Sequence, residues 1–277
     1  MSPSLIFAVF AVVLVGGSLF YLFFYQNWRR RRALQQPFPE HWKTLLSEQL
    51  PMYTRLPEPQ RERLEQLVQL FMDEKTFYGC DGFDVTDRIR LAIAGHACLL
   101  LLNRPFSHYD EIRSILIYPD VFRVQHAWEH GMIVNEGEEI RAGEASSYGQ
   151  VVLAWSECEE PINDPDCPHN VILHEFAHQL DFLDGSADGA PPMSGEQADR
   201  WLEVMSTAYD DLQHAIEHHH NPWLDPYGAS EPAEFFAVLT EAFFQQPREL
   251  HQAQPEVYGL LQEFYRLDPL AFTGRRP

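Results

Sequence analysis

The apolar and polar positions divide this chain unevenly. Leu5 to Tyr25 is a run of 21 residues without a charge. A helix of that length spans roughly 30 Å at 1.5 Å per residue, the thickness of a bilayer's hydrocarbon core. Tyr21, Tyr25 and Trp28 crowd its C-terminal end, as interfacial anchors do, and Arg29 to Arg32 follow at once. No Lys or Arg precedes the run, which distinguishes it from a cleaved signal peptide. The pattern predicts one N-terminal transmembrane helix in the inner (cytoplasmic) membrane. Because arginine-rich flanks stay in the cytoplasm, the N-terminus would lie outside and the remainder inside. The expected organisation is an anchor over 1–28, a basic juxtamembrane linker over 29–39, and one folded domain over 40–277.

Beyond residue 40 the periodicities are those of a globular domain. Apolar residues at helical spacing predict helices over His41–Leu50, Glu58–Lys75 (Leu64, Leu67, Val68 and Phe71 on one face) and Thr86–Leu102. The last of these is apolar on most sides and is expected to be buried. Short strands are expected at Ile115–Tyr118, Phe122–Val124, Met132–Val134 and Gly149–Trp155. Helices follow at Asn170–Leu183, Gly195–His218, Glu231–Gln245 (between Pro232 and Pro247) and Pro255–Arg266. The fold class is a helix-rich α+β domain, with a small sheet ahead of the Asn170 helix.

Composition narrows the partners. The chain has 277 residues and a formal net charge of -21, and four of its twenty basic residues are the Arg29–Arg32 run. So acidic a surface repels phosphate backbones, so direct nucleic-acid binding is not expected. The four cysteines, Cys80, Cys98, Cys158 and Cys167, form no CxxC pair and offer no thiolate metal site.

The chemistry lies in His174-Glu175-Phe176-Ala177-His178, an HExxH segment inside an apolar stretch. Histidines four apart on a helix leave nearly the same face and can share one ion. Glu175, beside the first of them, is placed to accept a proton from the water that such an ion activates. A catalytic zinc ion (Zn2+) takes three protein ligands and keeps one open position. Three sources compete for the third ligand. Asp184 would need the helix to break early, yet the third position past His178 is Asp181 rather than glycine. His218, His219 and His220 read as a solvated loop beside Asn221-Pro222. Glu234 sits one turn into an apolar helix with Phe235, Phe236, Leu239 and Phe243, where a carboxylate needs a partner. Glu234 is the favoured ligand. Glu241 shares its face and would either hydrogen-bond a ligand histidine or simply end the stripe.

HEFAHQLD followed by YGASEPAEFFAVLTEAFF resembles the Mlc titration factor A family of zinc peptidases. DVTDRIRLAIAGHACLLLL, ILIYPDVF and SSYGQVVLAW match that family's segments in the same order, so the resemblance covers roughly Phe38 to Leu267. It implies a zincin-like metallopeptidase domain. By position, His174, His178 and Glu234 would be zinc ligands and Glu175 the catalytic glutamate. Tyr227 would be a tyrosine near the metal, able to donate to an oxyanion. It also implies peptide hydrolysis, including an aminopeptidase type, and a transcriptional repressor of the Mlc type as partner. The alternative is a non-catalytic protein that sequesters a regulator and holds zinc structurally.

Overall fold

The computed structural model describes residues 3–121, 149–164 and 167–272. The chain forms two units, Met1–Pro39 and Glu40–Pro277. The first is a single helix, α1 (Pro3–Ala33), which runs without a break through Arg29–Arg32. Among the described residues no helix is long and apolar enough to cross a membrane. This overturns the predicted transmembrane anchor and, with it, the single-pass location in the inner membrane. A span requires about 20 consecutive apolar residues. The described residues of α1 do not supply that window, and its apolar part continues directly into Gln26, Asn27 and four arginines.

The second unit is the helix-rich α+β domain that the periodicities predict. It begins with α2 (Glu40–Gln49), α3 (Pro51–Arg55) and α4 (Glu58–Glu74), the last burying Leu64, Leu67, Val68 and Phe71. Strand β1 (Thr76–Gly79) leads into α5 (Asp87–Leu100), which starts where Thr86 Oγ1 accepts the Ile89 amide at 3.4 Å. α5 is buried almost all round, as its composition requires. Strands β2 (Ser114–Tyr118) and β3 (Gln150–Ala154) complete a parallel sheet of order β1-β2-β3, with Thr76 opposite Ser114 and Ser114 opposite Gln150. β1 leaves no alternating signal because most of it is exposed. The strands expected at Phe122–Val124 and Met132–Val134 lie outside the described residues.

After β3 come α6 (Trp155–Asn163), α7 (Val171–Asp181), α8 (Gly195–Glu217), α9 (Pro232–Gln245), α10 (Pro247–Ala253) and α11 (Pro255–Tyr265). Pro247, read in the sequence as a terminator, both ends α9 and opens α10, because proline's missing amide costs nothing in a first turn. α7 lies at the centre, against α5, α9 and β3. Ile172, Leu173, Phe176, Ala177 and Leu180 fix its inner face. The Phe176 ring lies 5.7 Å from that of Phe71 and 5.2 Å from that of Tyr109. Phe176→Ala is expected to cost about 3–5 kcal/mol of unfolding free energy through the cavity it leaves. Urea denaturation would show this as a lower midpoint at unchanged slope.

Candidate metal centre

Local chemistry sets the start of α7. The Asn170 side chain accepts the Leu173 amide at 3.1 Å, and the Asn170 amide donates to Glu241 on α9. From that start, His174 and His178 lie one turn apart with ring centroids 4.8 Å apart. Glu234 enters from the first turn of α9, opened by Pro232. Its Oε2 is 2.9 Å from His174 Nε2 and 3.6 Å from His178 Nε2. One ligand atom from each of the three falls within 4.8 Å of the others, and they form the one such group among the described residues.

Glu241 supports the arrangement from behind. Its Oε1 lies 2.7 Å from His174 Nδ1 and its Oε2 accepts the Asn170 amide, so both oxygens are used. With Nδ1 held by Glu241, Nε2, which faces Glu234 at 2.9 Å, is the ring atom that would turn to an ion. Of the two readings left open for Glu241, the hydrogen bond to a histidine is the one found. Burial disfavours a charged His174, but Glu234 and Glu241 override it and push its pKa up to about 10. Glu234, although partly desolvated, is held well below the usual carboxylate range by the same two histidines. The cluster therefore already favours positive charge at its centre. Two imidazoles and a carboxylate are the donors that a borderline metal ion such as zinc takes. The side chains of His174 and Glu234 keep 13% and 14% exposure, so the cluster is not wholly sealed from solvent.

Glu175 is partly buried on the same helix, and burial raises its pKa against the opposing pull of His174 and His178. Tyr227 lies in a short turn, Pro226–Ala229, where Asp225 accepts its amide at 2.8 Å. Its ring centroid is 6.0 Å from that of His174, and about half of the residue is exposed. Burial and then the negative Glu234 push its pKa up to about 12, so it remains a protonated donor at the mouth of the site.

The rival ligands stand elsewhere. α7 ends at Asp181 and is followed by a 3-10 turn, Phe182–Asp184, closed by Gly185 in the left-handed region. Asp184 is exposed, and its Oδ1 is taken by the Ser186 amide and hydroxyl. His218, His219 and His220 are exposed at the end of α8 and outside the metal-competent group.

One supporting element escaped the sequence reading. Buried Asp181 accepts the Gly189 amide at 2.9 Å, and Trp201 Nε1 donates to the Gly189 carbonyl at 2.9 Å. Gly189 has φ +76°, and a Cβ there would sit 2.3 Å from the Pro232 carbonyl oxygen. A glycine is therefore required where the end of α7 meets the start of α9. The Asp188-Gly189 pair was the available signal for such a turn.

Glu241→Ala is expected to weaken metal affinity about 10–100-fold, by freeing the His174 ring. Competition against a chromophoric chelator would measure it, and unchanged affinity would remove Glu241 from the site.

The profile of the glucose-regulated metallo-peptidase M90 family matches residues 25–266. An uncharacterized protein of Synechocystis sp. is 40% identical over 248 residues, covering 88% of this chain and 90% of that protein. Mlc titration factor A of Pectobacterium atrosepticum is 31% identical over 236 residues, covering 84% and 88%. Mlc titration factor A of Edwardsiella ictaluri is 32% identical over 251 residues, covering 88% and 93%.

Proposed function

This chain belongs to the glucose-regulated metallo-peptidase M90 family, and on that premise we propose that it is a zinc-dependent peptidase. The observation that carries this reading is the convergence of His174, His178 and Glu234, whose ligand atoms lie within 4.8 Å of one another. When bound there, a zinc ion would supply Lewis acidity, polarising a carbonyl and making a water molecule easier to deprotonate.

The chain's own residues would do the rest. His174, His178 and Glu234 hold the ion, and Glu241 orients His174. Glu175 accepts the proton of the attacking water and delivers it to the leaving amine. Tyr227 donates a hydrogen bond to the oxygen on which negative charge develops. β3, which leads toward α7 through α6, is the strand proposed to pair with extended substrate backbone. Cleavage from an amino terminus is the form that the family resemblance favours.

The test is a metal measurement combined with an activity measurement. The purified chain is expected to hold about one zinc per polypeptide, to lose peptide hydrolysis on chelation, and to regain it as zinc is restored. Hydrolysis that persists after complete removal of metal would sink the reading.

A second reading rests on the relatives' name, Mlc titration factor A. In it the chain captures a repressor of the Mlc type and the metal only holds the site together. A capture function would survive loss of Glu175, whereas hydrolysis would not.

A further inference from the structure

Away from the metal centre, a cavity of about 610 Å³ opens between the start of α8 and the end of α11. None of its lining residues belongs to the metal cluster. In a chain of net charge -21, this cavity gathers three arginines, Arg104, Arg200 and Arg266. Two acids share the lining, Glu196 and Glu263. Glu263 is taken by Arg200 at 2.8 Å, which leaves Glu196 as the only acid in the lining to balance Arg104 and Arg266.

Side-chain to backbone hydrogen bonds join the segments that carry Arg104 and Arg266. Asn103 Nδ2 donates to the Arg266 carbonyl at 2.8 Å, and Arg104 Nη1 donates to the Phe264 carbonyl. The Arg104 guanidinium also lies over the Phe264 ring, 3.9 Å from its centroid. The turn after α5 is thereby fastened to the end of α11. Arg104 is fixed from one side, yet its Nε is buried with no partner. Burial lowers the pKa of Arg104 and the nearby Arg266 lowers it further, against some pull from Tyr265. His108 is also lowered, by burial and then by both arginines, and its Nδ1 is buried without a partner.

Arg266 itself closes α11 at φ +51°, the left-handed position where glycine is least strained. Arg104 and Arg266 thus line one cavity with Glu196 as the remaining unpaired acid of that lining, a positive wall that an anion would neutralise. A guanidinium offers charge-assisted donors to phosphate oxygens. The cavity's size suits a small organic molecule, and Met193, Trp201 and Leu260 give it an apolar side.

We propose that this cavity binds a small organic phosphate monoester, with the phosphate between Arg104 and Arg266 and the organic body against Met193, Trp201 and Leu260. The test uses the full-length chain with phenyl phosphate as probe and benzoate as the carboxylate arm. The Trp201 indole resonance, in the cavity wall, is the readout. Phenyl phosphate is expected to shift it saturably in the low millimolar range or below, with benzoate at least several-fold weaker.

Arg266→Gly keeps the left-handed turn and removes its strain, so that variant should melt no lower than wild type. It should nevertheless bind phenyl phosphate at least about 10-fold more weakly, as expected for a lost charge-assisted contact. Glu196→Gln should strengthen binding. Absence of a saturable shift would overturn the site, as would undiminished binding by Arg266→Gly. A shift abolished by His178→Ala instead would place the anion at the metal cluster and also overturn it. Equal or better binding of benzoate would overturn the phosphate assignment.

Discussion

Glu175→Gln should lower kcat for peptide hydrolysis by about 10²–10⁴-fold, the usual worth of a positioned general base. The substitution keeps the side chain's size and removes its ability to accept a proton. Glu175 is not one of the three groups that converge on the metal position, so the variant should still hold about one zinc per chain. It should also melt close to wild type, because glutamine fits the same partly buried volume on α7. Loss of rate with metal retained would assign Glu175 to the chemistry. Full activity with metal bound would remove it from the mechanism. The same variant separates the two readings of function: repressor capture, measured by pull-down, should be unchanged if capture is the function and independent of hydrolysis.

Zinc should raise the melting temperature of the wild-type chain, and Glu234→Ala should abolish most of that rise. A ligand at roughly 1,000 times its Kd that binds only the folded state adds about 4 kcal/mol of stability. For a domain of this size each kcal/mol corresponds to about 2–4 °C, so the rise should be roughly 8–16 °C. Glu234 Oε2 faces both histidines, at 2.9 and 3.6 Å. Without it only two imidazoles remain and affinity should collapse. Calorimetry with and without zinc would decide. A variant that gains as much as wild type would mean that another group completes the site, and Asp181 or Glu241 would then have to move to reach it.

Much of the helical framework was legible along the chain because its causes are local. Thr86 and Asn170 cap the helices they precede, and Leu64, Leu67, Val68 and Phe71 mark a buried face by their spacing. The elements that escaped were the ones that local pattern does not specify. β1 belongs to the sheet through backbone pairing with β2, while its side chains are mostly exposed. α3, α6 and α10, at 5, 9 and 7 residues, are too short for an apolar period to establish itself. The N-terminal run shows the opposite failure: an apolar stretch read as a self-contained span is part of a longer helix that carries on through four arginines.

The HExxH segment is where both kinds of information meet. The sequence by itself determined that His174 and His178 leave one helical face and that Glu175 stands beside them, because a helix fixes angles between residues four apart whatever surrounds it. It favoured Glu234 over Asp184 and the His218–His220 cluster for its apolar surroundings, yet each offers suitable donor atoms and nothing local brings any of them to the histidines. The packing of α9 against α7 is what does so. It carries Glu234, 60 residues from His174, to within 2.9 Å and sets Glu241 at the opposite side of the same ring. The geometry of this site is a product of which apolar faces bury each other, and that is a property of the folded domain as a whole.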